Sequence, residues 1–261
     1  LMSDEDDFTS ADQIQDVTFR ASRIGKRVAE LYLDPLTAFE LIQAMQKAAK
    51  KHLLDVSFLH MISSTIEIRP LLRVRTKEID LINDELVKVQ NHLLVKEPNI
   101  YDPEYDEFLN SFKTSLFFKD WIEEKDEEYL LERYTIRPGE IRVKIDIADW
   151  LTYTASELAN LLQFQDIYKA LLKLRIRIKN GVKEELLTLL KLREIGRVRA
   201  RRLFRQGIKD IKDVKKADLY QLSKILGKKV AMNVKKQVGQ EVKEVKENKR
   251  KGQISMKDFT K

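Results

Sequence analysis

The sequence predicts a mainly all-α protein, and three observations support that fold class. The chain has 261 residues, of which only 8 are Gly and 5 are Pro, the two residues that disfavour helix interiors most. Leu, Lys and Glu, which favour helices, are abundant. Apolar residues recur at intervals of three and four, the spacing of one helix face. Cysteine is absent, which excludes a disulfide framework.

The first segment, residues 1–35, has the pattern expected at the end of a winged-helix domain. Residues 16–21 alternate between polar and apolar side chains, as a short strand does. Residues 24–33 then have helical periodicity, and Ser22 is placed to cap that helix. A strand followed directly by a helix resembles the C-terminal part of a winged-helix domain.

The middle segment, residues 36–190, is predicted to be a bundle of amphipathic helices joined by short connections. The predicted helices cover residues 36–51, 54–63, 76–94, 104–124, 127–134, 138–163, 165–178 and 182–192. Large apolar side chains at helical spacing are expected to form the core rather than a binding surface. These are Phe108, Phe112, Leu116, Phe117, Trp121, Leu130, Leu131, Tyr134 and Ile136.

Residues 191–245 are predicted to form a helix-hairpin-helix domain, and 246–261 a flexible tail. Two short helical pairs are centred on Gly196 and on residues 226–230. Gly196 allows a tight turn, and the helix after it begins with free N–H groups that can bind a phosphate. The arginines of that stretch add positive charge: Arg193, Arg197, Arg199, Arg201 and Arg202. The alternative interpretation is a solvated basic helix start.

Charge is unevenly distributed along the chain. Residues 1–150 contain 20 Lys and Arg against 30 Asp and Glu, whereas residues 151–261 contain 29 against 12. A strongly basic second half predicts a polyanionic partner, most commonly a nucleic acid.

Several classes of function lack their sequence motifs. No glycine begins a phosphate-binding G-x-x-x-x-G-K-[ST] loop, so we expect no nucleotide hydrolysis in this chain. His52, His60 and His92 lack metal-ligand spacing, and the carboxylates of 123–128 point in different directions on a helix. With no apolar run of membrane length and no signal peptide, we expect a soluble, cytoplasmic protein without membrane contact.

The predicted helix 138–163 carries a candidate nucleic-acid contact. Positions seven apart fall on nearly the same helix face, which aligns Val143 with Trp150. Trp150 has the side chain to stack on a base, and Arg142 and Lys144 are candidates for phosphate contacts. The alternative for Trp150 is a core position.

Four landmarks in order give the sequence a family resemblance. They are residues 25–38, residues 138–142 with 148–150, residues 178–186 and residues 195–201. Together they resemble the C-terminal half of archaeal Ski2-like superfamily 2 DNA helicases of the Hjm or HelQ type. The resemblance implies a winged-helix end, a ratchet domain and a helix-loop-helix domain that follow two motor domains. It also implies that ATP and Mg bind to the motor domains, with no cofactor in this chain.

The resemblance also implies roles for individual residues. Trp150 matches a tryptophan that contacts bases in the pore, and Val143 occupies the place of an arginine two turns earlier, between Arg142 and Lys144. Glu194 occupies the place where such hairpins often have their first glycine. The arginines of the hairpin would grip the emerging strand and restrain the motor: Arg197, Arg199 and Arg201. Arg202, which follows them, is a further candidate for DNA contact.

The last residues resemble a binding box for a sliding clamp (PCNA). Gln253, Met256 and Phe259 have its spacing, and Thr260 stands where a second aromatic residue usually follows.

We expect the chain to be the DNA-binding region of an ATP-dependent 3′–5′ helicase that acts on stalled forks and branched DNA, in the cytoplasm at the nucleoid. Two alternatives are a clamp-binding adaptor with incidental DNA contact and the equivalent region of an RNA-directed Ski2-like helicase.

Overall fold

The computed structural model describes residues 20–49 and 53–240. All regular secondary structure in these two ranges is helical, which confirms the all-α class. The chain divides into two compact units, Leu1–Gly181 and Val182–Lys261. The predicted strand at 16–21 lies almost wholly outside the described residues, so the winged-helix assignment of 1–35 stays a prediction.

The first unit contains eight α-helices within its described residues. They are α1 (Arg23–Glu30), α2 (Pro35–Ala48), α3 (Asp55–Ser63), α4 (Ile79–Val89), α5 (Tyr105–Ile122), α6 (Glu127–Tyr134), α7 (Pro138–Leu161) and α8 (Gln165–Asn180). Short 3-10 turns at Thr76–Glu78 and Gln90–His92 flank α4. The helix predicted at 76–94 is therefore three elements rather than one.

Local capping determines where α1 and α2 begin. Ser22 Oγ accepts a hydrogen bond from the Gly25 amide at 3.0 Å, as its position before the helix predicted. Asp34 Oδ1 accepts from the Leu36 amide at 2.8 Å, and Pro35 is the first residue of α2. These caps separate two helices that would otherwise be continuous.

The core of the first unit forms around α5. Phe112 and Phe117 are fully buried, as the helical spacing of the aromatic residues predicted. Trp121 is half-buried, and its indole Nε1 donates to the Ile178 carbonyl on α8 at 2.7 Å. The prediction for Leu131 was wrong, because 46% of this residue is exposed on the outer face of α6.

The long helix α7 packs along α8. Pro138 is its first residue, and Glu140 Oε2 accepts from the Arg137 amide at 2.8 Å, which completes a capping arrangement at the start. Gly181 ends α8 with φ 62°, a left-handed conformation that glycine adopts without a steric penalty. The observed helices 138–161 and 165–180 agree closely with the predicted 138–163 and 165–178.

The second unit has its own hydrophobic core and four α-helices within its described residues. They are α9 (Arg197–Arg205), α10 (Ile211–Lys216), α11 (Leu219–Leu226) and α12 (Lys228–Gln237). The segment predicted as helix 182–192 contains two 3-10 turns, Glu184–Leu186 and Leu189–Lys191. Val182, Leu186 and Leu189 are fully buried in the second core, so the unit begins earlier than the predicted boundary between residues 190 and 191.

Candidate nucleic-acid interface

The second unit contains two helical hairpins with the same internal spacing. Gly196 is the N-cap of α9 and Gly227 is the N-cap of α12. A fully buried alanine follows each glycine by four residues and a fully buried aliphatic side chain by seven, namely Ala200 with Leu203 and Ala231 with Val234. Each hairpin therefore has one helix that begins at a glycine and packs its inner face on the shared core.

Neither glycine contributes a side-chain cap to its helix. The first-turn N–H groups of α9 and α12 thus lack the bond that a Ser or Asp cap supplies. Gly227 has φ 85°, which favours glycine, whereas Gly196 has φ −101°, which any residue adopts. An anion placed at either helix start would meet backbone donors and the positive end of the helix dipole.

Glu194 adopts the conformation that a glycine at its position would favour. Its φ of 66° lies in the left-handed region, where a side chain is disfavoured. Arg199 Nη1 donates to the Glu194 carbonyl at 2.7 Å, and Asn233 Nδ2 donates to Glu194 Oε2 at 2.9 Å. The Arg193 amide also donates to Gln237 Oε1 at 2.7 Å. These bonds to α9 and α12 hold the loop without a glycine at 194.

The four hairpin arginines named in the sequence prediction differ in their surroundings. Arg199 and Arg202 are exposed, and Arg197 is half-exposed. Arg201 is held within the unit, because its Nη1 donates to Glu185 Oε1 at 2.6 Å and its guanidinium lies 5.2 Å from the Phe204 ring centroid. The side chain of Arg201 is 18% exposed. The structure thus gives Arg201 an internal partner and leaves Arg199 and Arg202 at the surface.

The charge of the second unit is strongly positive. Its described residues, 182–240, include 17 Lys and Arg against 6 Asp and Glu. Lys228 and Lys229 lie in the first turn of α12, so the second hairpin carries cations at its helix start as the first hairpin does. The pattern suits a polyanion that contacts both hairpins.

Trp150 lies on α7, half-buried against the core of the first unit. Its indole Nε1 donates to the Leu31 carbonyl, at the C-terminal end of α1, at 3.3 Å. On the same helical face, 57% of Val143 is exposed, and Glu157 forms an ion pair with Arg27 of α1. Contact with α1 thus orients the tryptophan.

Arg142 and Lys144 occupy opposite environments. The Arg142 side chain is 73% exposed, and its Nε lies 3.0 Å from Asp146 Oδ2. Lys144 is buried, and its Nζ donates to the Pro70 carbonyl at 2.5 Å. Burial lowers the pKa of the Lys144 ammonium below its usual range. The expectation of a phosphate contact is therefore corrected for Lys144, whose ammonium is directed into the protein, and it stays a proposal for Arg142.

His60 is a core residue and has no metal-binding neighbours in the described part of the chain. It is fully buried, with its Nε2 3.0 Å from Ser111 Oγ, and burial lowers its pKa to about 3. Within residues 20–49 and 53–240, no group of three or more His, Asp or Glu side chains is arranged to hold a metal ion.

None of the described helices is long and apolar enough to cross a membrane. His52 and the clamp-box residues Gln253, Met256 and Phe259 lie outside the described residues.

Sequence reasoning named Arg202 but missed the group of cations and amides on α9 and α11 to which it belongs. Arg202, Arg205, Gln206, Gln221 and Lys224 line one cavity of about 480 Å³. The only available signal was the i, i+3 spacing of Arg202 with Arg205 and of Gln221 with Lys224. That spacing is common on any solvated helix, so it does not identify a shared surface.

Comparisons with known proteins agree with this architecture. Residues 56–181 match the archaeal helicase domain 4 family, and residues 186–239 match a SAM-like helix-hairpin-helix tandem. An ATP-dependent DNA helicase Hel308 from Methanococcus vannielii is 41% identical over 213 residues, which are 78% of this chain and 27% of that protein. Hel308 proteins from Methanocaldococcus jannaschii and Pyrococcus horikoshii are 35% and 32% identical over 85% and 96% of this chain. The chain spans 17% and 37% of those two relatives, well under half their length.

Proposed function

This chain belongs to the archaeal Ski2-like helicases of the Hel308 type, and we propose that it supplies the DNA-gripping part of an ATP-dependent 3′–5′ DNA helicase. The proposed substrates are single-stranded DNA and stalled or branched forks, which places the protein in repair and recombination at the nucleoid. DNA supplies the continuous phosphate charge that the basic second unit fits.

One observation carries the proposal. Two hairpins of identical spacing each begin a helix at a glycine, in a unit with a large excess of cations. Backbone N–H groups at a helix start position a phosphate without reading sequence, and Arg and Lys side chains add affinity in the same way. Arg197, Arg199 and Arg202 are the residues proposed to make these contacts at the first hairpin. Such a grip suits a helicase, which must hold every sequence that it unwinds.

Trp150 is proposed to stack on a base of the translocating strand. Its half-buried ring and its bond to Leu31 keep the side chain in one orientation, which lowers the conformational cost of stacking. Arg142 is the exposed cation nearest to it along α7 and is proposed to contact a phosphate. Val143 takes the neighbouring surface position and offers only apolar contact.

The remaining functions are assigned to other parts of the protein. ATP and Mg would bind to motor domains, and the hydrolysis energy would reach the strand through movement of this region against them. The segment with Gln253, Met256 and Phe259 is proposed to dock on a sliding clamp.

A salt titration of DNA binding by the 261-residue chain tests the proposal. Labelled single-stranded, forked and duplex DNA would be followed by fluorescence anisotropy from about 50 to 200 mM salt, a range over which phosphate contacts lose affinity steeply. We expect single-stranded and forked DNA to bind more tightly than duplex, with a linear decrease of log affinity against log salt. An affinity that is independent of salt would contradict the proposal.

Deletion of residues 252–261 separates gripping of DNA from recruitment to a clamp. We expect the shortened chain to bind DNA as the parent does, and to lose binding to a sliding clamp. An adaptor that contacts DNA only through the clamp would instead lose both.

A further inference from the structure

Among the described residues, the lining of a groove between α9 and α11 combines three cations with no carboxylate. Arg202 and Arg205 approach it from α9, and Lys224 approaches it from α11. The amides of Gln206 and Gln221 complete the polar lining, and Ile225 is also part of the wall. We call this surface the α9–α11 groove. Its lining offers hydrogen-bond donors and positive charge, which is the composition that binds phosphate.

The cations of the groove are available for a ligand. Arg202, Arg205 and Lys224 are exposed, and within residues 182–240 none of the three forms an ion pair with a carboxylate. Arg201, one residue away, is bonded to Glu185. The fold thus pairs Arg201 with a carboxylate, whereas its neighbours Arg202 and Arg205 have no such ion pair within the described residues. Several like charges on one small surface repel each other, and a bound anion removes that cost.

An exposed aromatic ring lies at the edge of the groove. Tyr220 is 68% exposed, and Lys224 Nζ lies 4.4 Å from the centroid of its ring. A phosphate bound by Lys224 would therefore place an adjoining base within reach of Tyr220. A cationic groove beside an exposed aromatic residue is the arrangement found in proteins that bind single strands. An acidic peptide could bind to the cations, but it has no base to stack on the Tyr220 ring.

From this arrangement we propose that the α9–α11 groove binds the backbone of a single-stranded nucleic acid, with Tyr220 stacked on a base. The groove shares Arg202 with the first hairpin but extends along the second half of α9 and the middle of α11, whereas the hairpins present the starts of α9 and α12. This inference rests on the proposed function, because it extends the path of the strand beyond the hairpin contacts.

A double variant of the full chain tests the cations. Arg205→Gln with Lys224→Gln removes two charges from the groove, and Lys212→Gln with Lys216→Gln removes two exposed charges from α10 as a matched control. We expect the groove variant to flatten the log–log salt dependence for single-stranded DNA by about 0.7 for each cation removed. The control should change the slope much less, and the unfolding curves of both variants should overlay that of the parent.

Two substitutions at Tyr220, one of which keeps the aromatic ring, test the stacking contact. Tyr220→Leu removes the ring, and Tyr220→Phe keeps it. We expect Tyr220→Leu to weaken binding of single-stranded DNA by about fivefold or more with an unchanged salt slope, and Tyr220→Phe to bind as the parent does.

Three outcomes overturn the proposal, and they are distinguishable. Equal salt slopes for the groove variant and the α10 control would leave DNA binding to the hairpins and remove the groove from the path. A groove variant that loses affinity for polyglutamate while keeping its affinity for DNA would assign the groove to an acidic protein. A parent chain that binds no nucleic acid at all would end both this inference and the proposed function.

Discussion

The guanidinium of Arg199 donates to the backbone carbonyl of Glu194 at 2.7 Å, and Glu194 is the residue of the first hairpin with a left-handed φ of 66°. An arginine predicted to contact DNA thus also holds the loop that shapes the hairpin. The carboxylate of Glu194 itself accepts a hydrogen bond from Asn233 of α12 at 2.9 Å. The proposed phosphate contact of Arg199 and the conformation of the loop are therefore linked at this point.

Replacement of Glu194 tests that link. Glu194→Gly and Glu194→Gln both remove the carboxylate, and we expect each to raise the affinity for single-stranded DNA by about two- to fivefold, the effect of one nearby charge in water. Glycine also removes the left-handed penalty of about 1 kcal/mol, so Glu194→Gly should be the more stable of the two variants in urea unfolding. Unchanged DNA affinity in both variants would show that the carboxylate does not face the bound strand.

Substitution of Lys144 is expected to lower stability and leave DNA binding unchanged, whereas substitution of Arg142 is expected to weaken DNA binding and leave stability nearly unchanged. Lys144→Met leaves the Pro70 carbonyl without its donor, and we expect a loss of about 1–3 kcal/mol in the free energy of unfolding with unchanged DNA affinity. Arg142→Gln removes an exposed cation, so we expect weaker DNA binding and a stability within about 0.5 kcal/mol of the parent. A larger loss of DNA affinity in Lys144→Met than in Arg142→Gln would reverse this assignment.

Because His60 is buried, we expect the stability of the folded protein to fall at acidic pH. Its pKa is lowered from 6.5 to about 3 by burial, so the folded protein holds the neutral ring while the unfolded chain takes up a proton. The stability that depends on the neutral ring is fully present above about pH 6.5 and is lost as the pH falls toward 3, by up to about 1.4 kcal/mol for each pH unit. His60→Gln should show a shallower decline in urea unfolding over this range. Parallel curves for parent and variant would contradict the assignment.

Substitution of Trp150 is expected to affect the rate of unwinding and the affinity for DNA to different extents. In a complete helicase that carries this region, we expect Trp150→Ala to slow unwinding more than it weakens DNA binding, because phosphate contacts supply most of the affinity. Trp150→Phe keeps an aromatic ring but loses the bond to Leu31, so it should have an intermediate effect. Stopped-flow unwinding of a forked substrate measures the rates. Equal rates for parent and Trp150→Ala would remove the residue from the mechanism.

Features that depend on neighbouring residues could be predicted from the sequence. The cap at Ser22, the start of α7 at Pro138 and the hairpin at Gly196 each depend on residues within a few positions, and the structure has them where local rules placed them. The helical spacing of Phe112 and Phe117 likewise identified core residues of α5. Local chemistry therefore located most helices and both hairpins.

Features that depend on distant packing could not be predicted in this way. Lys144 and Arg142 are both basic residues on one helix, and only the Pro70 carbonyl, 74 residues earlier in the chain, makes Lys144 internal. Leu131 has the same apolar character as the fully buried Leu130, yet 46% of it is exposed. The α9–α11 groove requires two helices to lie side by side. Its cations look like ordinary surface charge until the fold brings them together.

Backbone amide shifts on DNA binding test the central claim most directly. The amides of the 30.7 kDa chain would be followed by NMR during titration with a short single-stranded DNA. If the hairpins bind phosphate, the largest shifts should occur at the first turns of α9 and α12, at Arg197, Val198, Lys228 and Lys229. Shifts confined to the first unit, with those four amides unmoved at saturation, would contradict the account.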